Sequence, residues 1–325
     1  MKVSVALITY NRPQFLNQAI NSILNQTFTE FEFLILDNGS DEETKKLILK
    51  FNDKRIRYIR NPKNQREFYN VAFKEAKGEY LLIAHDDDIM LPDFLTKEVE
   101  AMEKYPESIV ISCNACSIDK NNKILFPNLL NLNKTQVFEK YQYISHFIHS
   151  RHGIICPTAL MRKEYFLSHD LDFNFLVGPA ADNYLWIKCN LSNNTLIIIP
   201  EILYKYRIHD NQDSLNNKIS MDTKLYESLL ILFNEEKLYN FLPIVSLKLI
   251  INHLKSLQKG LISKIDLFEK LNQINLCNNS LIEKTILKLN KAIIIVTPFL
   301  SISFLKVQNR IRIFFFNKLY FENTK

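Results

Sequence analysis

Glycine, tryptophan and long apolar runs are all scarce in this sequence. Only 5 of the 325 residues are glycine and 12% are aromatic, which argues against a disordered or linker protein. No apolar run reaches the roughly 18 residues that a membrane-spanning helix needs. The sequence therefore excludes a collagen-like, low-complexity or integral membrane class and indicates a globular protein.

The cysteines follow no metal-binding pattern. Cys113 and Cys116 form one CxxC pair, and the sequence has no second pair that would complete a zinc site. The total of five cysteines is odd, so reduced thiols in a cytoplasmic protein are the simplest expectation.

Charge and length set further limits. The net charge is +6 and the basic residues are dispersed, so we expect no nucleic-acid partner. A chain of 325 residues with 47% hydrophobic residues can bury one large core or two modest ones. The apolar run Val3–Thr9 ends at a polar cluster, which indicates a buried strand rather than a signal peptide.

Strands and helices alternate over the first 115 residues or so, which predicts βαβ units and a largely parallel sheet. Later segments are less regular. The predicted strands are Val3–Thr9, Phe31–Leu36, Arg57–Ile59, Glu79–Ala84, Ser108–Ser112, Ile154–Met161, Leu196–Pro200 and Ile202–Tyr206. The predicted helices begin at Pro13 and Glu42 and cover Phe68–Lys77, with Gly78 as its C-terminal cap, Pro92–Tyr105, Gln136–Ser150 and Asn183–Ile187.

Three consecutive carboxylates, Asp86, Asp87 and Asp88, directly follow the apolar strand that ends at Ala84. Like charges repel, and ionised carboxylates at the edge of an apolar strand lose solvation. A divalent cation held by oxygen ligands would offset that cost. The alternative is an acidic loop that caps the helix after Pro92.

Polar clusters also follow two other predicted strands. Residues 9–12 come after the first strand and residues 37–40 after the second. Because ligands bind outside the carboxyl ends of parallel strands, these clusters and the acidic cluster predict one site on one edge of the sheet.

The character of the chain changes at about residue 216. Strand patterns stop, and Tyr226–Leu289 has the spacing of several amphipathic helices. From Lys288 onward the sequence is basic and apolar, which suits either an anionic membrane surface or packing on the core or a partner subunit. We therefore divide the chain into an α/β domain, residues 1–215, and a helical region, residues 216–325.

The first 215 residues resemble family 2 glycosyltransferases with the GT-A fold. The resemblance is carried by Thr9-Tyr10-Asn11-Arg12-Pro13, Asp37-Asn38-Gly39-Ser40, Ala76-Lys77-Gly78-Glu79-Tyr80 with the acidic cluster and Pro92, Asp182 with Trp186, and Tyr206-Arg207-Ile208-His209 with Gln212 and Ser214. It implies an α/β, Rossmann-like sheet that is mixed but mostly parallel and flanked by helices, followed by the helical region.

The resemblance also implies a cofactor. Relatives hold Mn²⁺ or Mg²⁺ through a DxD motif, which stabilises the charge of the departing diphosphate. Asp86 and Asp88 would be its two acids, with Asp87 also eligible because three acids in a row leave the register open. His209 resembles a position that completes the metal site in some relatives.

The same resemblance implies a nucleotide-sugar site. Asp37 would accept a hydrogen bond from uracil N3–H, and His85 would either bond the ribose or diphosphate or simply end the strand. The implied set is Thr9, Tyr10, Asn11, Arg12, Asp37, Asn38, Arg66, Asn70, His85, Asp86, Asp87 and Arg207.

Asp182 matches the family's catalytic base through its place before Trp186. An ionised carboxylate can accept the proton of the acceptor hydroxyl, and one base opposite the leaving group gives inversion of the anomeric centre. The alternative is that Asp182 caps the helix, and His152 could line the acceptor cleft.

The resemblance implies transfer from a UDP-hexose or UDP-N-acetylhexosamine to a surface glycan or lipid-linked saccharide. The protein would be cytoplasmic or peripheral on the inner face of the cell membrane. Alternatives are a transferase that uses a dTDP- or GDP-sugar and a non-catalytic nucleotide-sugar-binding protein.

Overall fold

The computed structural model describes residues 1–150, 153–210, 212, 218–262, 266 and 270. The chain falls into two compact units, Met1–Asn252 and His253–Lys325. The second unit is described only for the end of one helix, the turn that follows it and two further residues. His152, Ser214 and the basic stretch from Lys288 lie outside the described residues. The division at residue 215 stays a prediction.

The first half of the large unit alternates strands and helices. Its elements are β1 (Val3–Thr9), α1 (Pro13–Leu24), β2 (Phe31–Asp37), α2 (Glu42–Ile48), β3 (Ile56–Arg60), a 3₁₀ helix (Arg66–Asn70), α3 (Val71–Glu75), β4 (Tyr80–His85), β5 (Ile89–Met90), α4 (Phe94–Lys104) and β6 (Ser108–Ile118).

Most of the later elements are short, and the long ones are β10 and the final two α-helices. They are β7 (Ile124–Phe126), β8 (Gln136–Phe138), α5 (Gln142–Ser150), a 3₁₀ helix (Cys156–Thr158), β9 (Leu160–Arg162), α6 (Lys163–Ser168), a 3₁₀ helix (Phe175–Ala180), α7 (Ala181–Cys189), β10 (Thr195–Arg207), α8 (Lys218–Glu235), a 3₁₀ helix (Tyr239–Phe241) and α9 (Leu242–Gln258). Among the described residues, no helix is both long and apolar enough to cross a bilayer.

The described strands form one mixed sheet in the order β3-β2-β1-β4-β9-β6-β10-β5, with β7 on β6 and β8 on β10. The long ladders β2/β3, β1/β2, β1/β4 and β6/β10 are parallel. The short β9 pairs antiparallel with both β4 and β6, so β6 and β10 run in the same direction as β4.

This topology places the polar strand ends together. Thr9 is in register with Asp37, and the preceding Ile8 is in register with His85. β10 ends at Arg207, which is in register with Ile118 on the same edge of the sheet. The expected single site at the carboxyl edge of the sheet is therefore geometrically possible.

Both faces of the central strands are buried, as the continuous apolar runs predict. All seven residues of β1 and of β2 are buried. α1 covers one face through Phe15, Leu16, Ala19, Ile20 and Ile23. Asp41 caps α2, as its position before Glu42 predicts, because its Oδ1 accepts a hydrogen bond from Thr44 N at 2.8 Å. Gly39, in the turn before α2, adopts a φ of +85°.

Five predicted elements differ from the structure. The helix expected at Gln136–Ser150 is a strand, β8, followed by α5, and the strand expected at Ile154–Met161 is a 3₁₀ helix followed by β9. The helix expected at Phe68–Lys77 is a 3₁₀ helix followed by the short α3. The two strands predicted on either side of Glu201 are one strand, β10, with an irregular register against β6. Pairing with neighbouring strands overrides the local pattern at β8, β9 and β10.

The sequence predicts that Gly78 caps a helix, but the structure requires glycine there because the backbone of β1 lies too close to admit a side chain. It does not adopt a positive φ, so it is not a left-handed helix cap. A Cβ atom at Gly78 would lie 2.6 Å from Ser4 N and 2.6 Å from Val3 C. Its N–H donates to Ser4 Oγ at 2.8 Å, which holds the chain against β1. Glycine is therefore needed for close backbone approach.

We expect Gly78→Ala to lower the free energy of unfolding by about 1–3 kcal/mol, because backbone atoms of β1 must move to admit the methyl group. Chemical denaturation measures the loss. Gly260→Ala is the comparison, since no atom of the described residues lies within 4 Å of that Cβ position and the strain there comes from its φ of +68°. A loss for Gly78→Ala no larger than for Gly260→Ala would contradict the packing argument.

Candidate functional site

The acidic cluster lies in the turn between β4 and β5, at the carboxyl edge of the sheet. All three carboxylates are buried, with 2%, 4% and 2% of Asp86, Asp87 and Asp88 exposed. Three adjacent carboxyl groups at this depth need positive charge or hydrogen-bond donors around them. The three carboxyl groups obtain such contacts from different partners and to different extents.

Asp86 anchors the loop between β1 and α1. Its Oδ2 accepts hydrogen bonds from Thr9 Oγ1 at 2.8 Å and Tyr10 N at 3.2 Å, and its Oδ1 accepts from Arg12 Nη1 at 3.0 Å. Burial, with the neighbouring Asp87 charge, raises the pKa of Asp86 to about 6. Both oxygens are therefore engaged with the loop that follows β1.

His85, Asp87 and Asp88 form a separate cluster. One possible ligand atom from each lies within 4.8 Å of the others. His85 Nδ1 lies 3.7 Å from Asp88 Oδ2, which is buried and has no hydrogen-bond partner in the described part of the chain. An imidazole nitrogen and two carboxylates are a donor set that a divalent cation can use, and the unpartnered oxygen fits such an ion.

The electrostatics of this cluster separate its members. Burial, reinforced by the charge of Asp87, raises the pKa of Asp88 well above its ordinary value. Burial also opposes ionisation of Asp87, but the hydrogen bond from His209 and the charges of His85 and Arg12 lower its pKa overall. Burial lowers the pKa of His85. Asp87 is thus the carboxylate that its surroundings keep ionised.

Arg207 is a buried side chain that hydrogen-bonds segments far apart in the sequence, and it is not exposed for contact with a phosphate. It is 0% exposed, and its guanidinium lies over the Phe15 ring at 4.7 Å from the centroid. Its N–H groups donate to Asp87 O (2.6 Å), Asp119 O (3.0 Å), Asn122 Oδ1 (2.8 Å) and Gln18 Oε1 (2.9 Å), and its backbone N donates to Asp88 Oδ1 (2.7 Å).

His209 lies beside the cluster through Asp87. Its Nε2 is 2.9 Å from Asp87 Oδ2, and its ring packs on Phe15 with the centroids 5.0 Å apart. Gln212 Nε2 donates to Arg207 O, which closes the turn that carries His209. The structure therefore places His209 on the same carboxylate oxygen that Arg12 contacts at 3.1 Å.

Asp37 and Asn38 brace the turn after β2. Asp37 is 0% exposed; its Oδ1 accepts from Ser40 N at 2.8 Å and its Oδ2 from Tyr58 Oη at 2.6 Å. Asn38 Nδ2 donates to Asn64 Oδ1 at 2.8 Å and to Gln65 O at 2.9 Å. A contact between Asp37 and a base would add to bonds that the turn already makes.

Of the other residues expected to contact the nucleotide, some have exposed side chains and others have side chains that already form hydrogen bonds within the protein. Tyr10 is 42% exposed and Arg66 is exposed, so both surfaces are accessible. Asn11 has φ +50° and accepts from Asp41 N at 2.7 Å. Asn70 Nδ2 donates to Asp172 Oδ2 at 3.1 Å and Phe173 O at 3.0 Å, so it ties the 66–70 helix to the segment before α7.

Asp182 lies in the first turn of α7, and the N-cap is Ala180, so the capping interpretation of Asp182 is wrong. Asp182 is partly buried, and burial raises its pKa to about 6. The charges of both Asp182 and Asp88 raise the pKa of the Cys156 thiol, after burial itself. Asp182 and Asp88 therefore both act electrostatically on the Cys156 thiol.

The structure thus brings together Thr9, Arg12, the three acids and His209, while Asp182 contacts none of them through a hydrogen bond in the described part of the chain. It also shows supporting residues that sequence reasoning missed, namely Gln18, Tyr58, Asn122 and Cys156. Their signal is absent from the sequence because each acts through a partner on another element. The grouping of His85 with Asp87 was detectable, since residues two apart at a strand end face the same side.

Comparison with known proteins identifies the family of this chain. The family model described as glycosyl transferase family 2 matches residues 4–168. An uncharacterized glycosyltransferase of Methanocaldococcus jannaschii is 32% identical over 232 residues, which cover 69% of this chain and 76% of the relative. WfgD of Escherichia coli, named as a UDP-Glc:alpha-D-GlcNAc-diphosphoundecaprenol beta-1,3-glucosyltransferase, is 27% identical over 220 residues, covering 66% and 80%.

Solved structures share the fold. The crystal structure of Staphylococcus aureus TarS 1-349 in complex with UDP-GlcNAc matches with a TM-score of 0.57 at 20% identity, covering 78% of this chain and 81% of that chain. The α/β GT-A fold expected from the motifs is confirmed by this similarity.

We expect Arg207→Met to lower the free energy of unfolding by about 3 kcal/mol or more, because it removes a buried positive charge beside the buried acids and the donor to the carbonyl oxygen of Asp87. Thermal and urea unfolding measure the change. Lys50→Met is the control on an exposed basic side chain and should change stability by less than about 0.5 kcal/mol. Equal stability of the two variants would contradict the stabilising role assigned to Arg207.

Proposed function

The chain belongs to glycosyl transferase family 2 and is a glycosyltransferase, and we propose that it is a metal-dependent, inverting enzyme that uses a UDP-sugar. The sugar is a hexose or N-acetylhexosamine, and the acceptor is a hydroxyl group of a glycan or lipid-linked saccharide. The observation that carries the proposal is the convergence of ligand atoms of His85, Asp87 and Asp88 within 4.8 Å, as a divalent cation requires.

The proposed cation ligands are His85, Asp87 and Asp88. Their ligand atoms lie within 4.8 Å of one another, and Asp88 Oδ2 is buried without a partner among the described residues. The motif reading that pairs Asp86 with Asp88 is less well supported, because both oxygens of Asp86 bond the loop after β1. When bound, Mn²⁺ or Mg²⁺ would supply Lewis-acid stabilisation of the leaving diphosphate.

His209 remains a candidate fourth ligand. Its Nε2 already contacts the Asp87 Oδ2 atom, so it either joins the ligand set or orients Asp87 within it. Arg12 contacts both Asp86 and Asp87 and is 29% exposed, so it can also reach a diphosphate at the edge of the cluster.

The proposed nucleotide is UDP. The relatives support this choice, since the WfgD name gives UDP-Glc as donor and TarS has been crystallised with UDP-GlcNAc. In this chain we propose that the exposed Tyr10 and Arg66 contact the nucleotide, and that Asp37 lies at the base. Because Asp37 is fixed by Ser40 and Tyr58, its carboxylate would be held in one orientation.

Asp182 is the proposed base. Its partial burial and its pKa of about 6 leave it mostly ionised at neutral pH, yet basic enough to accept the proton of the acceptor hydroxyl. A single base acting opposite the leaving group inverts the anomeric centre. The proton moves from the acceptor oxygen to an Asp182 carboxylate oxygen as the new glycosidic bond forms.

The acceptor and the location remain part of the proposal. The WfgD name specifies a diphosphoundecaprenol-linked acceptor, which supports a lipid-linked or surface-polysaccharide acceptor for this chain. A lipid-linked acceptor would bring the enzyme to the inner face of the cell membrane. The basic stretch from Lys288 is a proposed contributor, and it lies outside the described residues.

A panel of UDP-, dTDP- and GDP-sugars tests the donor assignment. We expect UDP-sugars alone to be hydrolysed slowly and to raise the melting temperature, and only with Mn²⁺ or Mg²⁺ present. Asp87→Asn and Asp88→Asn should abolish the metal-dependent shift. Glu100→Gln, an exposed acid on α4, is the control that should retain it. Stabilisation by GDP-sugars instead would favour the alternative donor, and binding without turnover would favour a non-catalytic protein.

The base assignment predicts both a mutant effect and a pH profile. Asp182→Asn should lower kcat by about 10²-fold or more. Because protonation inactivates the base, kcat should fall about tenfold per pH unit as the pH drops below about 6. The UDP dissociation constant, measured over the same range, separates this effect from titration of Asp86. Asp170→Asn is the control, since it is exposed and asparagine tolerates its φ of +49°. A flat kcat between pH 5 and 7 would contradict the assignment.

A further inference from the structure

The segment that follows β6 is unusually open to solvent. All nine residues from 120 to 128 are exposed, and we refer to them as the exposed hairpin segment. It contains the whole of β7, where Ile124 is 55%, Leu125 42% and Phe126 59% exposed. A strand packed on one face would bury alternate residues, but β7 exposes apolar side chains on both of its faces. Contiguous exposed apolar residues of this kind mark an interaction surface.

The charge of the exposed hairpin segment is one-sided. Lys120 and Lys123 precede the apolar residues, Lys134 follows them, and the sequence from residue 120 to 138 contains no acid. The nearest acid, Asp119, uses Oδ1 to accept hydrogen bonds from Asn121 N at 2.8 Å and Lys123 N at 2.9 Å. The surface therefore combines lysine ammonium groups with a leucine, an isoleucine and a phenylalanine.

A second strand is a poor occupant of this surface. Pro127 follows β7 directly and has no N–H to donate to another strand. β7 is three residues long, and edge lysines disfavour strand addition. Lysines beside exposed apolar side chains instead suit a bilayer interface, where apolar groups enter the acyl boundary and ammonium groups meet anionic headgroups.

The turn that carries the exposed hairpin segment is bonded to the acidic cluster through one side chain. Arg207 Nη1 donates to Asp119 O at 3.0 Å and to Asn122 Oδ1 at 2.8 Å. Arg207 Nε donates to Asp87 O at 2.6 Å. A surface held by this segment would therefore lie a fixed distance from the residues proposed to bind the donor.

We propose that the exposed hairpin segment docks the protein on an anionic lipid surface, with Ile124, Leu125 and Phe126 entering the interface and Lys120 and Lys123 contacting the headgroups. Its residues are distinct in the sequence from the basic stretch that begins at Lys288. Docking requires no nucleotide sugar and no catalysis, so it stands or falls independently of the proposed function.

Tryptophan fluorescence gives a direct test in the full chain. The protein has one tryptophan, Trp186, which is 0% exposed. Phe126→Trp adds a reporter within the exposed hairpin segment. We expect its emission to shift to the blue when vesicles of phosphatidylcholine with about 30% phosphatidylglycerol are added. Ile231→Trp, at a position 61% exposed on α8, is the matched reporter and should not shift. Equal shifts for both reporters, or none for Phe126→Trp, would overturn the proposal.

Vesicle partitioning separates the apolar and charged contributions. We expect Lys120→Gln with Lys123→Gln to reduce the partition coefficient roughly tenfold or more at low salt. Ile124→Ser with Phe126→Ser should reduce it by a similar factor. The controls are Lys50→Gln with Lys54→Gln, both exposed elsewhere, and Ile231→Ser. All are measured by co-sedimentation without nucleotide.

Several outcomes would overturn the docking site. Partitioning of the hairpin variants that matches the controls would show that any lipid contact lies elsewhere in the chain. Equal binding to pure phosphatidylcholine vesicles would remove the anionic surface as the partner. A wild-type dimer that Ile124→Ser with Phe126→Ser converts to a monomer, measured by light scattering, would show that this surface binds a second copy of the chain instead.

Discussion

The structure depends on how three adjacent buried carboxylates are accommodated at the end of β4. Three charges in a row at a few per cent exposure would destabilise the fold if they were left alone. Asp86 is satisfied by the loop after β1 and Asp87 by Arg12 and His209. Asp88 Oδ1 accepts a hydrogen bond from Arg207 N, while Asp88 Oδ2 has no hydrogen-bond partner within the described residues and lies 3.7 Å from His85 Nδ1. That oxygen belongs to the proposed cation cluster.

Sheet topology makes this arrangement possible over long sequence distances. Asp87 and Arg207 are 120 residues apart, yet they meet because β9 pairs antiparallel with both β4 and β6 and so restores the parallel direction of β10. Gln18 and Asn122 complete the same guanidinium from two further elements. One buried arginine therefore links α1, the hairpin after β6 and the end of β10 to the acidic turn.

Local pattern predicted what depends on local physics. The continuous apolar runs gave β1 and β2, Asp41 indicated the start of α2, and the strand ends indicated one functional edge. It failed where tertiary pairing decides, as at β8 and β9. It also could not assign each side chain to ligand or support, because Asn70 and Arg207 are polar residues whose partners lie about 100 residues away.

An unpartnered buried carboxylate is not by itself a cation site, and Glu98 shows why. Glu98 on α4 is 0% exposed and neither carboxylate oxygen has a hydrogen-bond partner among the described residues. Burial raises its pKa well above the ordinary value, so the neutral acid is the stable form there. Asp88 shares that burial, but it has His85 Nδ1 at 3.7 Å and the ionised Asp87 beside it. Convergent ligand atoms, rather than a missing hydrogen bond, are what make Asp88 a candidate cation ligand and Glu98 none.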